Sequence, residues 1–579
     1  MNFSIQIKWT LLPAIHMSTL GIRIIDSFYK IESLSQPKPV SKPGPLVLVG
    51  FGGCMDVAVP ALSFLSGLNI EPPPSLQSSP APDQLETMND ITVLFSHSFS
   101  KGAAFERTVK NKKLFLQLVE AANSGKHTKD KSVYIGGNAP VMANRLAKEG
   151  LQVALAGRLS NKMKSLMHPH VKVLQAPPDF GLTDPPTSDI HLVLEFEKGE
   201  TWGNYTAPRA NRLILIRDQE NPMISGLWPE LMQSYEKIHF DLSNRKHNQP
   251  DLFIVGGLQT MSSFLADDGP DIREQRLQAL NDFLINKVPP RTLVHFESAS
   301  FDDAGLAGNI AKLILPYTDS IGLNEQELPS LIELLKYGKV PLNPNQSIPR
   351  VATVLDQIRE VWALLTDQDL PRMRFAQRTI SRMHLHTLGF QIIIVRRDPK
   401  QLDHETRTRL MNEFFGPEGK LKDAMITDLG RGWPKVKAAA AKASLTAYRY
   451  TCAEAHVHPD PDRTKILMDD SFSVTADRER WPEAGRYELL KQKLDRVYFN
   501  SSNPVQCWYE VEPELPNLEG GTRRNDRRSP NGNTYSNRVK VVQICVSTGL
   551  VCEQVQKTAG AGDNISAAAL AVQAAVMDN

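Results

Sequence analysis

The chain has 579 residues, and its 66 lysine and arginine residues nearly balance its 64 aspartate and glutamate residues. This length allows one large domain or two. The balanced charge argues against a protein that coats nucleic acid. Beyond the N-terminal segment no run approaches the roughly 18 apolar residues of a membrane-spanning helix, so we expect none in the body of the protein.

The first 45 residues predict a leader rather than part of the fold. An apolar run covers 9–15, but Pro13, His16 and Arg23 interrupt it or follow closely. The run is too short to span a membrane. A signal peptide, a transit peptide or a weak membrane anchor all fit this pattern. We therefore place the start of the main domain at residue 46.

From residue 46 onward, strand-like and helical patterns alternate. A buried strand at 46–50 leads into Gly52 and Asp56, and 71–84 has the proline and serine content of a surface loop. The elements predicted next are a helix at about 103–122, strands at 132–135 and 152–156, and a helix at 140–148 between those two strands.

The second half of the chain continues this alternation. Strands at 191–196 and 212–216 have the pattern of a small sheet with one solvated face. Buried strands at 251–255 and 292–296 alternate with helices at about 271–286 and 303–315, and a strand at 541–546 precedes the last helix. This order predicts an α/β fold with a mostly parallel sheet covered on both faces. Two further segments read as insertions, a charged helical one at 398–425 and a basic exposed loop at 515–538.

The last helix is preceded by a glycine-rich turn, Gly560-Ala561-Gly562-Asp563. Glycines let backbone amides converge on a ligand, and the start of a helix attracts negative charge. An aspartate there can accept a proton from a hydroxyl group while neighbouring amides stabilise a moving phosphoryl group. Since the same four residues also make an ordinary helix start, this motif alone does not decide the function.

Carboxylates follow the predicted strands at three places. Glu297 ends one buried strand, Glu327 follows another, and Asp563 opens the last helix. Ligands of open α/β sheets bind beyond the carboxyl ends of the strands. Mg²⁺ takes oxygen ligands, often through water and substrate phosphates. Each glutamate alone is more often a surface charge, but together with the glycine-rich turn they favour phosphoryl transfer.

Eight stretches, taken in order over about 46–575, resemble the eukaryotic ADP-dependent glucokinases. They are 102–107 (GAAFER), 134–139 (YIGGNA), 191–195 (HLVLE), 207–212 (APRANR), 295–297 (HFE), 322–328 (GLNEQEL), 384–387 (HLHT) and 560–563 (GAGD). The resemblance implies a ribokinase-like three-layer sandwich with a mostly parallel central sheet. It also implies a smaller lid built from about 60–130 and 185–235, with the sugar between lid and sheet.

The resemblance also assigns roles to individual residues. Asp563 would be the catalytic base on the 6-hydroxyl of glucose, and Gly560, Ala561 and Gly562 would supply amides to the transferred β-phosphate. One Mg²⁺ would be held by Glu297, Glu327 and Asp563, directly or through water. The remaining assignments are to the substrates: Asp56, Glu106, Gly137 and Asn138 to glucose, and Arg209 or Arg212 with His384 or His386 to the nucleotide.

The implied reaction uses ADP as donor and gives AMP and glucose 6-phosphate. Glu106 favours unphosphorylated glucose, because the related ADP-dependent phosphofructokinases typically lack this acidic residue. We expect a monomer that binds glucose and ADP and no nucleic acid, with membrane contact only through the N-terminal segment. The alternative is an ATP-dependent sugar or nucleoside kinase of the same fold, because the residues themselves do not distinguish the two donors.

The chain departs from the family at Gly52, where the family usually has asparagine four residues before the glucose-binding aspartate. Loss of a sugar hydrogen bond there leaves a catalytically weakened sugar- or nucleotide-binding protein as a further alternative. Ala561 replaces the usual leucine, and we expect little effect from that change.

The five cysteines form no CxxC pair and no metal-ligand cluster in the sequence, and their odd number leaves at least one thiol outside any disulfide. The resemblance implies that Cys452 and Cys552 form a disulfide. Such a bond fits an oxidising compartment such as the lumen of the endoplasmic reticulum, with the cytoplasm as the alternative.

Overall fold

The computed structural model describes most of the chain. The described residues are 14–33, 45–74, 81–82, 84–124, 131–156, 159–174, 190–217, 250–263, 272–301, 303–340, 349–366, 378–398, 402–415, 432–452, 464–467, 472–475, 497–500, 503–512, 540–552, 555 and 557–575. The predicted basic insertion at 515–538 lies outside them.

Twenty strands are described. They are β1 (Leu46–Gly50), β2 (Cys54–Pro60), β3 (Phe105–Thr108), β4 (Ser132–Gly136), β5 (Gln152–Ala156), β6 (Val171–Leu174), β7 (Ile190–Phe196), β8 (Thr201–Trp202), β9 (Tyr205–Thr206), β10 (Asn211–Ile216), β11 (Leu252–Val255), β12 (Leu293–Glu297), β13 (Ser320–Leu323), β14 (Arg382–His386), β15 (Phe390–Arg397), β16 (Thr464–Leu467), β17 (Phe472–Thr475), β18 (Val497–Asn500), β19 (Val505–Val511) and β20 (Val541–Cys552).

Thirteen α-helices are described with them. They are α1 (Ala14–Ser33), α2 (Ala61–Gly67), α3 (Met88–Lys101), α4 (Lys112–Asn123), α5 (Asn138–Lys148), α6 (Asn161–Leu166), α7 (Ile272–Asn286), α8 (Ala304–Leu313), α9 (Glu327–Tyr337), α10 (Val351–Thr366), α11 (His404–Phe415), α12 (Val436–Thr451) and α13 (Ala561–Ala574). Two short 3-10 helices cover Leu258–Ser263 and Leu315–Tyr317.

Eleven strands form one large sheet in the order β16-β20-β15-β14-β13-β12-β11-β1-β5-β6, with β19 also paired to β20. The pairs from β6 to β14 are parallel, and those that involve β15 and β20 are antiparallel. Successive strand residues face opposite sides of the sheet. Phe253 belongs to the core formed with helices α7 to α10, whereas Ile254 belongs to the core formed with α5, α12 and α13. The predicted α/β three-layer fold is therefore confirmed.

A second sheet of five strands has the order β3-β10-β7-β2-β4. Helices α2, α3 and α4 cover one of its faces with apolar side chains, including Phe64, Phe95 and Leu118, which pack on Val57 and Leu192. On the opposite face Ala58 and Val193 pack against Ala559, just before the glycine-rich turn. The small sheet therefore stands over the carboxyl ends of the large sheet, where the resemblance led us to expect a lid.

The sequence misplaced several elements of this small sheet. The helix predicted at about 103–122 is a strand at Phe105–Thr108 followed by α4, and α3 precedes them. Strand β4 was read as part of the main alternation, but it pairs antiparallel with β2 in the small sheet. β2 itself was not predicted, because its pattern follows a glycine turn and ends in Pro60. Residues of the small sheet therefore begin at Cys54, earlier than the predicted lid.

The N-terminal helix α1 packs onto the body. Ile24, Ile25 and Phe28 are buried in the same core as α12. Glu32 accepts hydrogen bonds from Lys442 Nζ at 2.9 Å and from Arg449 at 2.8 Å. Burial opposes ionisation of this carboxyl, but these cations outweigh it and lower the pKa of Glu32 to about 2. The predicted boundary at residue 45 thus does not separate 22–33 from the fold. No helix of the described residues has the length and apolarity to cross a membrane.

Two disulfides tie β20 to its neighbours. Cys452, at the end of α12, bonds to Cys552, as the resemblance implied. Cys507 bonds to Cys545 in the adjacent antiparallel strand, a pairing that the sequence did not indicate. Cys54 belongs to neither disulfide. Each of the two disulfides has one cysteine in β20, the strand that precedes the glycine-rich turn.

Candidate active site

The crevice at which the large sheet changes winding direction lies between β1 and β11. β1 pairs with β5 on one side and with β11 on the other. Such switch points are where open α/β sheets bind ligands. The loops after the two strands are joined by their backbones: Phe51 N donates to Gly256 O at 2.9 Å and Gly256 N donates to Gly50 O at 2.8 Å.

Glycine residues, whose backbone carries no side chain, line this crevice. Gly52 has a φ of 52°, and a Cβ there would lie 2.8 Å from Gly257 O. A Cβ on Gly137 would lie 2.7 Å from Gly52 O. Three loops therefore meet at distances that only glycine permits. Position 52, where the resemblance led us to expect asparagine, has no room for a side chain unless the backbone moves.

The glycine-rich turn opens α13 as the sequence predicted. Gly560 caps the helix with a φ of 72°, and Ala561, Gly562 and Asp563 form its first turn. The first amides of any helix lack partners within that helix and carry a partial positive charge. Alanine-rich faces of α12 and α13 lie in one core and allow the two helices to pack closely. This packing fixes the direction in which the turn points.

Asp563 is half-buried at the crevice, and two amide side chains in series hold it in place. Asn138 Nδ2 donates to Asp563 Oδ1 at 2.8 Å, and Gln259 Nε2 donates to Asn138 Oδ1 at 2.9 Å. Burial, with the negative charge of Glu297, raises the pKa of Asp563 to about 7. A carboxylate with this pKa is suited to accept a proton near neutral pH.

Glu297 is the centre of a buried hydrogen-bond network. His386 Nε2 lies 2.7 Å from Glu297 Oε1, and His295 Nε2 lies 2.8 Å from Oε2. Ser566 Oγ, one turn after Asp563 on α13, donates to Oε2 at 2.7 Å. Burial alone would raise the pKa of Glu297, but His386 and His295 reverse that effect and hold it well below its usual range. Glu297 is therefore ionised.

The two predicted histidines of β14 have different places. His386 faces the carboxylates, whose charges outweigh burial and raise its pKa. Its Nδ1 has no hydrogen-bond partner among the described residues and lies 3.1 Å from where a Cβ on Gly562 would be. His384 is buried beneath it, with Nε2 3.3 Å from Gln391 Oε1, and burial keeps its pKa well below the usual value. Only His386 reaches the crevice.

Glu327 completes the acidic group. Its side chain accepts hydrogen bonds from Asn324 N at 3.0 Å and from Asn324 Nδ2 at 2.7 Å. Burial, with the charges of Glu297 and Asp563, raises its pKa to about 8 although His386 opposes this. Such a concentration of buried carboxylates is relieved by a cation.

The donor set fits Mg²⁺ held through water. Among the described residues, Glu297, Glu327 and Asp563 do not bring three carboxylate oxygens within 4.8 Å of one another. Both oxygens of Glu297 already accept hydrogen bonds. Mg²⁺ commonly keeps several waters and binds through only one or two carboxylates. The predicted metal residues therefore converge on one region without forming a closed cage.

The predicted arginines also separate. Arg209 Nε donates to Gly102 O at 2.5 Å. Burial lowers its pKa and the charge of Glu325, in the loop after β13, opposes that shift. Arg212 instead lies near Asp56 and Glu195. Glu195 in β7 is the residue directly opposite Arg212 in β10. Arg209 thus faces the loop that leads to Glu327, and Arg212 faces the region of Asp56.

Asp56 lies on the face of the small sheet that looks into the crevice. A Cβ on Gly136 would lie 2.0 Å from Asp56 Oδ1, so the carboxylate rests directly on that glycine. Burial raises the pKa of Asp56, although nearby His191, Cys54, Lys557 and Arg212 oppose the shift. Strand alternation puts Asp56 and Glu106 on the same face, but β7 and β10 separate their strands. Three strand spacings correspond to about 14 Å, so Asp56 and Glu106 are not neighbours here.

Several residues of the crevice were missed by sequence analysis. His295, Ser566 and Gln259 support Glu297 and Asn138, whereas His191 and Lys557 surround Asp56. A signal existed for two of them: His295 precedes Glu297 by one strand repeat, and Ser566 follows Asp563 by three helical positions. The others lie on strands or loops whose neighbours are distant in sequence.

Most of the chain matches a known family of proteins. A model of the ADP-specific phosphofructokinase/glucokinase conserved region matches residues 45–408 and 423–572. The chain is similar to a probable ADP-dependent glucokinase of Caenorhabditis elegans, with 28% identity over 383 residues, and to the ADP-dependent glucokinase of Bos taurus, with 29% identity over 350 residues. These matches cover 64% and 60% of this chain and 70% and 63% of the two relatives.

A solved structure gives the same fold. It is an ADP-dependent kinase in complex with fructose-6-phosphate and ADPβS, at 16% identity and a TM-score of 0.52. The superposition covers 96% of this chain and 98% of that chain. At this identity the likeness establishes the ribokinase-like fold and leaves the substrate to be argued from the site.

Proposed function

This chain belongs to the ADP-specific phosphofructokinase/glucokinase family, and we propose that it transfers the β-phosphoryl group of ADP to the 6-hydroxyl of D-glucose. The products are AMP and glucose 6-phosphate. The two glucokinase relatives support glucose as the acceptor. The family supports ADP as the donor.

The observation that carries the proposal is the position of Asp563. It sits in the first turn of α13, at the crevice between β1 and β11, and Asn138 fixes its side chain. A sugar hydroxyl that reaches Asp563 would therefore contact the base and, at the same place, lie next to the backbone amides at the start of α13. Phosphoryl transfer depends chiefly on such positioning and on charge stabilisation.

Negative charge on the moving phosphoryl group has two sources of stabilisation in this chain. Amides at the start of α13, at Gly562 and its neighbours, point toward the turn. His386, whose pKa is raised because Glu297, Glu327 and Asp563 outweigh its burial, has its Nδ1 beside Gly562. Mg²⁺ bound through Glu297, Glu327 and Asp563 would neutralise phosphate charge and orient the donor. Arg209 fits the nucleotide side, because it faces the loop that carries Glu327.

The sugar would be recognised on the other side of the crevice. Asp56, Gly137 and Asn138 lie around the glycine-lined loops, and Asn138 is already oriented by Gln259. Hydrogen bonds to a buried carboxylate discriminate strongly, because a sugar without the matching hydroxyl leaves the carboxylate unpaired. Glu106 joins this set only if the sugar, or a movement of the small sheet, bridges the distance from Asp56.

We place the protein in an oxidising compartment such as the lumen of the endoplasmic reticulum. Two disulfides hold β20, one to α12 and one to β19. Disulfides persist in secretory compartments and are rare where thiols are kept reduced. A cytoplasmic protein would carry these four cysteines as thiols, which thiol counting under denaturing conditions distinguishes.

The test is a comparison of donors and acceptors with the purified full chain and its disulfides intact. ADP or ATP is offered with Mg²⁺ and either glucose or fructose 6-phosphate, and sugar phosphate and AMP are quantified. We expect equal amounts of AMP and glucose 6-phosphate from ADP and glucose. Activity with ATP alone would overturn the donor, and activity with fructose 6-phosphate alone would overturn the acceptor. Glucose binding without turnover would make the protein a weakened binder, as Gly52 suggested.

A further inference from the structure

Three side chains with different ligand atoms meet on the crevice face of the small sheet. Cys54 and Asp56 are two residues apart on β2 and point to the same side, and His191 pairs with Asp56 in register from β7. Cys54 Sγ lies 3.2 Å from His191 Nδ1 and 3.3 Å from Asp56 Oδ1. His191 Nδ1 lies 3.9 Å from Asp56 Oδ1.

These separations lie within about 0.6 Å of those in a tetrahedral metal site. With Zn–S, Zn–N and Zn–O bonds of about 2.3, 2.0 and 2.1 Å, ligand atoms at tetrahedral angles stand roughly 3.3–3.6 Å apart. The three observed distances fall close to that range. Within the part of the chain that the structure describes, this is the one group of three His, Cys, Asp or Glu residues whose ligand atoms approach so closely.

We propose that Cys54, Asp56 and His191 bind a zinc-like divalent cation, and that the bound ion excludes the sugar from Asp56. The second half rests on the proposed function, because it takes Asp56 as a sugar ligand. Three protein ligands leave a fourth tetrahedral position for water. The thiolate and carboxylate together neutralise a dication, so the three ligands and the ion carry no net charge once Cys54 has lost its proton.

The chemistry of the ligands selects the ion. Thiolate and imidazole suit zinc and cobalt, whereas Mg²⁺ prefers oxygen and would find a single carboxylate here. Lys557 and Arg212 carry positive charge near Asp56 and oppose any cation. The site therefore favours an ion that gains directly from the sulfur ligand. The Mg²⁺ that the kinase reaction needs would not occupy it.

The ion would reach the cluster along the path of the sugar. Cys54, Asp56 and His191 are each no more than 7% exposed. A sugar that binds Asp56 must reach the same carboxylate, so any opening that admits the sugar also admits a hydrated ion. Occupancy by one then prevents occupancy by the other.

Cobalt makes the proposed site visible. Co²⁺ is titrated into the metal-free full chain, and the near-ultraviolet absorption of a thiolate-to-cobalt bond is followed. We expect one Co²⁺ per chain and displacement of cobalt by Zn²⁺. Cys54→Ser, which keeps a hydrogen-bond donor beside Asp56, abolishes the band, and His191→Asn weakens binding at least about 100-fold. Two independent variants keep the test valid if one of them does not fold.

The matched control is His170→Gln. His168, which is half-buried, and His170, which is exposed, have ring centroids 5.1 Å apart and are the obvious place for adventitious zinc binding. Loss of that pair should leave the thiolate band unchanged. No band in the wild type, or a band that survives in Cys54→Ser, would overturn the proposed metal site.

Competition with glucose tests the second half separately. Glucose should reduce the cobalt band. Zn²⁺ should raise KM for glucose with little effect on the limiting rate. In Cys54→Ser the increase in KM caused by Zn²⁺ should be at least tenfold smaller. A band that glucose does not displace would refute the exclusion of the sugar. A band that depends on Cys54 in a protein without glucokinase activity would uphold the metal site and reject the proposed function instead.

Discussion

The two sides of the crevice differ in how their carboxylates are held: His295, His386 and Ser566 hydrogen-bond to Glu297, whereas Asp56 is met by the weaker donor Cys54 Sγ at 3.3 Å. On the large sheet, Glu297 accepts hydrogen bonds at both oxygens, and His386 Nδ1, beside the glycine-rich turn, is one of several buried polar atoms without a partner among the described residues. On the small sheet, the Tyr134 hydroxyl also has none, and Lys557 Nζ stands 3.6 Å from the centre of its ring. The large sheet is organised for chemistry before any ligand arrives, whereas the small sheet presents polar groups for the sugar to complete.

The largest effect is expected at Asp563, where this preorganisation meets the substrate. Asp563→Asn keeps the shape but removes the base, so kcat should fall about 10²–10⁴-fold while KM for glucose changes only a few-fold. Steady-state production of glucose 6-phosphate measures both. The control is Asp90→Asn in the first turn of α3, on the far side of the small sheet, which should leave both constants unchanged. A variant at position 563 that keeps a tenth of the wild-type kcat would show that another group accepts the proton.

The buried charges around Glu297 should dominate stability. Glu297→Gln leaves His386 without its partner, and breaking a buried pair costs about 3–5 kcal/mol. Urea unfolding at neutral pH measures the loss, and His386→Gln added to the same chain should restore part of it. Glu333→Gln, on the exposed face of α9, should change the free energy of unfolding by less than about 0.5 kcal/mol. A loss below 1 kcal/mol at position 297 would mean that the network does not hold the large-sheet side together.

Replacement of Asp56, unlike that of Glu297, should impair sugar binding and not stability. Asp56→Asn removes a buried carboxylate that desolvation penalises, so stability should hold or increase. Hydrogen bonds to a charged group contribute about 1.5–3 kcal/mol, so KM for glucose should rise about 10–100-fold. Kinetics and unfolding on the same preparations separate the two effects, with Cys54→Ser as the neighbouring control whose KM stays within a few-fold. An unchanged KM would remove Asp56 from the sugar site.

Gly52→Asn tests whether the family residue can be restored. A φ of 52° suits asparagine, but its Cβ would lie 2.8 Å from Gly257 O. We expect a stability loss of roughly 1–3 kcal/mol and no decrease in KM for glucose. Gly150→Asn is the matched control, because Gly150 has a φ of 87° and nothing lies within 4 Å of its added Cβ. A stable variant with tighter glucose binding would show that the loops after β1 and β11 move apart readily.

The smallest effect concerns pH. Folding raises the pKa of Asp563 to about 7 and of Glu327 to about 8, so above pH 4 these two carboxyl groups bind more protons in the folded chain than in the unfolded chain. Their contribution to stability is present below the unfolded pKa and is lost as pH rises through the folded values. Between pH 6 and 7 the metal-free wild type should lose about 1 kcal/mol more than Asp563→Asn. Equal slopes in thermal or urea unfolding would contradict the raised pKa.

The sequence predicted which carboxylates lie at the crevice better than it predicted the small sheet. Glu297 ends β12 and Glu327 follows β13, and neighbouring parallel strands bring their carboxyl ends to one edge whatever the connections are. Asp563 follows β20, which is antiparallel to β15 and therefore runs in the same direction as β14. β2 and β4 pair across a long stretch of chain, and nothing local distinguishes β4 from a strand of the large sheet. Phe105–Thr108 is too short for its alternation to stand out from the helix that follows.

Contacts that depend on register were also invisible in the sequence. Cys507 faces Cys545 only because β19 and β20 align at those residues. The approach of Gly52 to Gly257 joins loops about 200 positions apart, so Gly52 was read as a lost hydrogen bond rather than as a steric requirement. Such features need the pairing of strands, which residue patterns do not specify.

Hydrogen–deuterium exchange with and without glucose tests most directly whether one side of the crevice is preorganised and the other is completed by the sugar. We predict that glucose slows exchange in β2 and β7 of the small sheet by a large factor. Exchange in β12, β13 and β14, which carry or flank Glu297 and His386, should remain slow and change little. Slowing confined to β12–β14 would contradict the division of the crevice into a prepared large-sheet side and a sugar-completed small-sheet side.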